Sequence, residues 1–170
     1  RTSNVYGSLA FEVKLCMAQL QGSQRLSPEV IVAEHARLVE LIEAGDADGA
    51  AALLDEPGIG TVTAAIAMTA WSHAGRLRSE AAFASLAGVN PIPASSGNTT
   101  RHRLNRGGDR RLNRALHMAV VTRMRCDPET RAYVERRTAE GRSTKEIRRC
   151  LKRYLARRIY RQLNRAATLT

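Results

Sequence analysis

The sequence predicts an all-α fold, and three observations support this. Apolar residues recur at helical spacing along most of the chain. Alternating runs rich in Val, Ile and Thr and bounded by hairpin turns, which are typical of strands, are missing. Capping residues stand where helices would begin, and glycines stand where they would end. A chain of 170 residues is long enough to bury the core of one ordinary domain or two small ones.

The first third of the chain predicts three helices. Residues 8–21 are mostly apolar with helical spacing. Ser27 and Pro28 supply an N-cap and a first-turn proline for a second helix, which Gly45 ends. A short alanine-rich helix follows and ends at Leu54. An antiparallel helical arrangement is therefore expected before the composition changes.

A glycine turn then opens another helix, which is predicted to reach about Trp71. Gly58 and Gly60 permit a tight turn that leaves backbone N–H groups exposed at a helix N-terminus, where the helix dipole favours a phosphate. Residues 57–71 are interpreted as a helix-hairpin-helix-like element that contacts a nucleic-acid backbone. A simple helix start punctuated by proline and glycine is the alternative.

One extended loop interrupts the helices. Ser79 caps a short helix that Gly88 ends, and Pro91 and Pro93 then exclude further helix. Residues 91–100 are therefore predicted to form a surface loop between two helical blocks, and loops held by rigid elements often carry functional groups.

The charge distribution indicates a polyanionic partner. The formal net charge is +11, and arginine supplies 24 of the 27 basic residues. Residues 1–55 carry a formal charge of −4, whereas residues 56–170 carry +15. The strong positive charge of residues 56–170 is expected to attract DNA or RNA. No apolar run approaches the roughly 20 residues that cross a bilayer, so a cytoplasmic protein without a membrane partner is expected.

The last basic segment predicts a long amphipathic helix, so that residues 109–165 form basic helices. The Ser143–Glu146 pattern is a capping box for the last helix. Asp109 is the predicted N-cap of the first of these basic helices. An apolar stripe includes Ile147 and either Tyr154 or Leu155. The stripe is expected to pack on its own domain while the arginines face a nucleic-acid backbone, with a membrane surface or a partner groove as the alternative.

A hydroxyl group beside an arginine-rich segment forms the candidate site. Guanidinium groups bind phosphate oxygens bidentately and stabilise charge that develops at phosphorus, as attack by a serine on a phosphodiester requires. The candidate nucleophiles are Ser96 and Ser95, and a flexible solvated turn is the alternative for this stretch. The candidate phosphate-binding residues are Arg101, His102, Arg103, Arg106, Arg110, Arg111 and Arg114.

Residues 1–55 resemble the end of the ligand-binding FCD domain of GntR-type regulators, on the segments Glu34–Val39 and Ala44–Ala51. The resemblance implies that His35 matches a metal ligand in an all-helical effector pocket. The sequence departs from that pattern at Pro57, where the family continues to a further histidine. No metal site is therefore predicted, and the three cysteines also lack the spacing of a zinc site.

Residues of about 57–165 resemble the C-terminal part of the Piv-like, bridge-RNA-guided insertion-sequence transposases of the IS-one-ten and IS-one-sixteen group. Five ordered elements carry the resemblance: Pro57–Gly60, Phe83–Pro91, Ser96-Gly97, Arg106–Leu112 and the basic C-terminal helix. The resemblance implies a serine-dependent DNA recombinase, with Ser96 as the nucleophile and Ser95 as the near alternative.

The resemblance also implies partners that the chain does not contain. In the family a RuvC-like domain holds Mg²⁺ through carboxylates, a guide RNA takes part, and homo-oligomers assemble. The chain is therefore interpreted as a regulator remnant, residues 1–55, fused to a transposase C-terminal domain, residues 56–170, without recombinase activity of its own. The alternatives are a non-enzymatic nucleic-acid-binding protein and a degraded GntR-type transcription regulator.

Overall fold

A computed structural model of the chain describes residues 47–99 and 102–169, together with single helical positions at Glu29, Val32 and Ala36. The described part is largely helical, which confirms the all-α prediction. The first predicted helix lies outside the described residues, as does the second apart from those three positions. The candidate ligand His35 and the candidate phosphate contact Arg101 also lie outside them.

The elements follow one another with short connections. From residue 47 onward they are α1 (Ala47–Leu54), α2 (Thr61–Trp71), α3 (Glu80–Leu86), β1 (Pro91–Pro93), β2 (His102–Leu104), α4 (Arg110–Cys126), α5 (Pro128–Ala139) and α6 (Thr144–Leu169).

Side-chain caps begin the helices where the sequence predicts them. Ser79 accepts a hydrogen bond from the backbone of Ala82 at the start of α3. Asp109 accepts from the first turn of α4. Ser143 donates its backbone N–H to the Glu146 carboxylate, 2.9 Å away, and the predicted capping box at the start of α6 is confirmed.

Helix α6 organises the core. It packs against α1, α3 and α4 through its apolar stripe. Leu155 is 4% exposed whereas Tyr154 is 48% exposed, so Leu155 belongs to the stripe. Leu53 of α1 is fully buried in the same cluster, which places α1 in one core with the later helices. The domain boundary at residue 55 stays a prediction. No helix in the described ranges has both the length and the apolar character to cross a membrane.

The region predicted as an extended loop contains a β-ribbon, and this corrects the expectation for residues 91–100. Strands β1 and β2 pair antiparallel, with Pro91 opposite Leu104. Each strand is an edge, so a proline without an N–H is tolerated there. The tip closes at a Ser96–Thr99 bridge around a two-residue turn in which Gly97 has a φ of +55°. Glycine at this position matches a type II′ hairpin turn.

Candidate nucleic-acid interface

Two glycine turns meet at the foot of the ribbon. A Cβ on Gly88 would lie 2.5 Å from the Gly107 carbonyl oxygen, and one on Gly108 would lie 2.6 Å from the Leu86 carbonyl oxygen. Only glycines permit this backbone contact, because both distances are far shorter than van der Waals contact. The Asp109 N–H also donates to the Leu86 carbonyl at 2.7 Å. The two ends of the ribbon are therefore joined by main-chain contacts.

Asparagine side chains strengthen this junction. The Asn105 amide donates to the Asn90 side-chain oxygen at 2.6 Å, across the ribbon foot. The Asn113 amide donates to the Ala87 carbonyl at 2.7 Å, and its own oxygen accepts from the Lys152 ammonium at 2.8 Å. The ribbon foot is thus bound to both α4 and α6.

The two candidate serines lie at the far end of the ribbon. Ser95 and Ser96 are both exposed. The main chain of Ser96 exchanges hydrogen bonds with Thr99, at 3.2 and 3.3 Å, and this pair closes the turn. The exposed Ser96 side chain is not needed for that pair. The tip therefore presents two hydroxyl-bearing residues to solvent, on a ribbon whose foot is hydrogen-bonded to the helices.

The predicted phosphate-binding residues fall into two groups. His102 and Arg103 lie on β2 and line a groove at the ribbon foot. The remaining described candidates are exposed and lie in the following loop and the first turns of α4, outside that groove: Arg106, Arg110, Arg111 and Arg114. The serines also lie outside the groove lining.

The groove between the ribbon foot and the first half of α6, called here the basic groove, has a volume of about 440 Å³. Its lining also includes the apolar residues Leu104 and Ile147 and one carboxylate, Glu146. Its basic side chains are His102, Arg103, Arg137, Arg142, Arg149, Lys152 and Arg153. The last five were not predicted from the sequence, although the spacing of Arg149 and Arg153 indicates one helix face.

Positive charge is crowded in this groove. The pKa of Lys152 is lowered, first by burial and then by the nearby Arg149 and Arg148. The pKa of His117, on the neighbouring helix, is lowered by burial and by Lys152 and Arg148. Burial is the larger cause of both shifts, and repulsion among neighbouring cations is the second.

Two tyrosines adjoin the groove and are called here the tyrosine pair. The rings of Tyr133 and Tyr154 lie 6.2 Å apart, nearly perpendicular to each other. The Arg136 guanidinium lies 5.4 Å from the Tyr133 ring centre, and that of Arg153 lies 5.6 Å from the Tyr154 ring centre. Arg153 therefore contacts Tyr154 of the pair and also lines the basic groove.

The glycine turn before α2 is partly enclosed by the protein itself. Gly58 has a φ of +78°, and a Cβ on it would lie 2.7 Å from the Ala119 carbonyl oxygen of α4. Gly60 is the exposed N-cap of α2, with open space where a Cβ would project. Packing thus accounts for the glycine at position 58, while a phosphate contact at Gly58 or Gly60 stays a prediction.

A buried carboxylate holds this turn against two helices. Glu56 is 4% exposed and accepts from Arg123 of α4 at 3.2 Å and from Arg158 of α6 at 2.6 Å. Arg123 also pairs with Asp127 at 3.3 Å, and Gln162 donates to Glu56. These five residues are called here the Glu56 cluster. Arg123, whose side chain is 13% exposed, is neutralised within the fold, whereas Arg158 reaches the same carboxylate from a position that is 50% exposed.

The described residues do not offer a metal site. Across 47–99 and 102–169, no three His, Cys, Asp or Glu side chains group closely enough to hold a metal ion. Cys150 is half-buried in the groove lining, whereas Cys126 is exposed.

Comparison with known proteins identifies relatives of the region that contains these features. The model of the transposase IS116/IS110/IS902 family matches residues 50–135. The IS110 uncharacterized 43.6 kDa protein of Streptomyces coelicolor is 34% identical over 92 residues, which is 54% of the chain and 23% of that relative. The IS900 uncharacterized 42 kDa protein of Mycobacterium paratuberculosis is 27% identical over 161 residues, 83% of the chain and 39% of that relative.

The extents of these matches bear on the domain organisation. The chain spans between 23% and 39% of the length of the two curated relatives. The match to the IS900 protein covers 83% of the chain and so extends into the segment before residue 56.

Proposed function

Since the chain belongs to the transposase IS116/IS110/IS902 family, we propose that it binds DNA in transposition and presents a serine to the scissile phosphate. One observation carries this proposal: two exposed serines lie at the tip of a ribbon whose foot adjoins the basic groove. A nucleophile for DNA must be accessible, and cations beside it must hold the phosphate backbone.

The proposed reaction is nucleophilic attack at phosphorus. The serine oxygen forms a new P–O bond, and the bond from phosphorus to the bridging deoxyribose oxygen breaks. The serine proton is released, and the departing oxygen keeps the bonding electron pair and takes up a proton. The product is a phosphoserine linkage that preserves the energy of the phosphodiester for rejoining. Ser96 is the proposed nucleophile, and Ser95 is the alternative.

The exposed arginines around the ribbon are proposed to position the strand and to stabilise negative charge on the phosphoryl oxygens. Arg103 on β2 and Arg106 in the following loop are the nearest of them along the chain. Guanidinium groups suit both tasks because they donate two parallel hydrogen bonds to a phosphate. Such contacts bind any sequence, so recognition of particular DNA ends needs other contacts.

The family resemblance implies Mg²⁺ held by carboxylates of a separate RuvC-like domain. The described residues do not group such ligands, so no step above is assigned to Mg²⁺. We infer that the chain alone binds DNA without completing strand transfer. A guide RNA and a homo-oligomer are proposed as partners on the same resemblance.

The DNA-binding part is tested with the purified chain. Its affinity for duplex DNA is expected to fall steeply with salt, because each neutralised phosphate releases a counterion. Binding should be unchanged in Ser96→Ala. A chain that does not bind DNA at low salt would contradict the proposal.

The serine is tested in the complete reading frame that encodes the chain, with Mg²⁺ and labelled DNA that carries the ends of the element. A protein–DNA adduct that survives denaturation should disappear in Ser96→Ala and persist in Thr99→Ala, a hydroxyl at the same ribbon tip. Loss in Ser95→Ala instead would move the nucleophile by one residue. An adduct that persists in both serine variants would overturn serine chemistry, and an adduct from the chain alone would overturn its dependence on another domain.

A further inference from the structure

The basic groove contains more positive charge than its own carboxylates neutralise. Arg137 pairs with Glu140, and Arg142 lies 4.0 Å from Glu146. Four further cations of the lining have no carboxylate within 4.0 Å in the part of the chain that the structure describes: Arg103, Arg149, Lys152 and Arg153. A groove with four unneutralised cations fits an anionic ligand.

Arg153 supplies a second sign of an incomplete site. Its buried Nε has no hydrogen-bond partner among the described residues. A buried donor without a partner is unfavourable by about 1–3 kcal/mol, and a ligand that fills the groove can relieve this. Burial and then repulsion from Arg149 and Arg148 lower the pKa of Lys152, and an anion in the groove would offset that repulsion.

The tyrosine pair adds an aromatic surface beside the groove. Neither ring is part of the groove lining, and Tyr154 lines a neighbouring pocket, but Arg153 of the groove lies over the Tyr154 ring. The Tyr154 ring is 48% exposed although Arg153 lies over one face. An exposed ring beside unneutralised arginines is typical of sites that bind unpaired nucleotides, because the ring stacks on a base while the cations hold the phosphates. A paired base within a duplex offers no free face for such stacking.

The size of the groove also favours an unpaired strand. Its volume of about 440 Å³ lies in the range of pockets that hold one small molecule, roughly 300–1,000 Å³. A nucleotide unit fits a space of that size, whereas the full width of a duplex does not.

We propose that the basic groove and the tyrosine pair bind a single strand of nucleic acid, with phosphates on Arg103 and Arg149 and a base stacked on Tyr154. Binding of the strand is argued from the groove itself. Only the role of the strand, as the one that leads to the serines, rests on the proposed function. The ribbon supports this path: Pro91 of β1 lines the groove, and Ser96 follows it by five residues, roughly 17 Å along an extended chain.

The test compares variants of the full chain by fluorescence anisotropy with three probes of equal length: oligothymidylate, oligouridylate and a DNA duplex. Arg149→Ala removes a groove cation, and Tyr154→Ala removes the ring. Arg165→Ala is the matched control, because it removes an exposed arginine sixteen positions further along α6, roughly 24 Å away. Tyr154→Phe keeps the ring and removes only the hydroxyl.

Arg149→Ala should lower single-strand affinity about tenfold and reduce the slope of log K against log salt by about 0.7. Tyr154→Ala should lower single-strand affinity about 5- to 150-fold, the range of one stacked base, while Tyr154→Phe and Arg165→Ala change it less than about twofold. Equal losses for Arg149→Ala and Arg165→Ala would overturn the inference, and so would losses confined to the duplex.

The same experiment distinguishes DNA from RNA as the bound strand. It also distinguishes failure of this inference from failure of the proposed function. Tighter binding of oligouridylate would identify RNA as the strand, and tighter binding of oligothymidylate would identify DNA; either result supports the site. A wild-type chain that binds single strands only through residues outside the groove contradicts this inference alone. A wild-type chain that binds none of the three probes contradicts the proposed function as well.

Discussion

The Glu56 cluster and the basic groove use the same residue type in opposite ways. In the Glu56 cluster, Arg123 and Arg158 meet a carboxylate that is 4% exposed. In the groove, Arg103 and Arg149 face an open space of about 440 Å³ and have no carboxylate partner in the described residues. The first set of charges stabilises the fold, and the second remains available for a ligand.

This difference teaches that arginine content alone does not locate a nucleic-acid interface. A buried ion pair uses the charge internally, and removing one partner leaves the other uncompensated. A cation without a carboxylate partner is the one that can exchange its counterions for phosphates. The partner of each arginine, and not its position in a basic stretch, decides its role.

The largest effect is expected from Glu56→Ala. It removes the carboxylate that Arg123 and Arg158 share, but Arg123 keeps Asp127 and Arg158 is 50% exposed. The cost should therefore be about 3 kcal/mol of unfolding free energy, the low end for breaking a buried pair. Urea denaturation measures this against Glu135→Ala, an exposed glutamate on α5 that should change stability by less than about 0.5 kcal/mol. Similar small losses in both variants would show that the cluster does not support the fold.

The next largest effect is expected at the ribbon foot, where the close backbone contact of Gly88 supports one side of the basic groove. Gly88→Ala should cost about 3 kcal/mol, because its Cβ would lie 2.5 Å from the Gly107 carbonyl in addition to the strained positive φ. Gly97→Ala has a similar φ of +55° but open space, so it should cost only about 1–2 kcal/mol. Thermal unfolding of both variants checks this, and equal losses would mean that the backbone contact is unimportant.

A smaller effect is expected from Asp127, which caps α5 and pairs with Arg123. A hydrogen bond from the Thr130 side chain lowers the pKa of Asp127, with the charge of Arg123 contributing. The folded pKa lies below the unfolded value of about 3.9. The stabilisation is therefore complete above that value and is lost as the pH falls through the folded pKa.

Asp127→Asn should consequently cost about 1 kcal/mol of unfolding free energy at pH 7, and the difference from wild type should shrink below about pH 4. Urea denaturation across this pH range measures it. Asp55→Asn, at an exposed carboxylate, is the control. A difference that stays constant down to pH 2 would contradict the role of the charge.

The smallest effect on stability is expected at the ribbon tip. Ser96→Ala should change the unfolding free energy by less than about 0.5 kcal/mol, because the turn is held by the Ser96 and Thr99 main chains. The same small change is expected for Arg149→Ala, whose side chain is exposed. Thermal unfolding checks both, and a loss above 1 kcal/mol in either would show that the fold relies on a residue assigned to ligand binding.

Features that depend on neighbouring residues could be predicted from the sequence. The caps at Ser79, Asp109 and Ser143 were predicted correctly because each side chain bonds to a backbone only two or three residues away. The ribbon was missed because its strands have three residues each and one contains two prolines, so no alternation is visible. The serine positions were singled out, whereas their place on a ribbon was not.

Features that depend on residues far apart in the chain could not be predicted from the sequence. The basic groove joins side chains from β2, α5 and α6, and Glu56 meets partners 67 and 102 residues away. The predicted fusion at residue 55 also stays open, although α1 shares the core of the later helices and the IS900 relative matches beyond that point. The upstream coding sequence would decide it.

By itself the sequence determined the helical fold class, the helix starts, the excess of arginine and the exposed serine pair, because these follow from local backbone chemistry and composition. The tertiary structure alone decided which arginines are neutralised and which face a groove. That division depends on where a few carboxylates are buried, and burial results from packing between helices that are far apart in the chain. Arg123 and Arg149 are alike in a list of basic residues and differ only once α4, α5 and α6 are folded together.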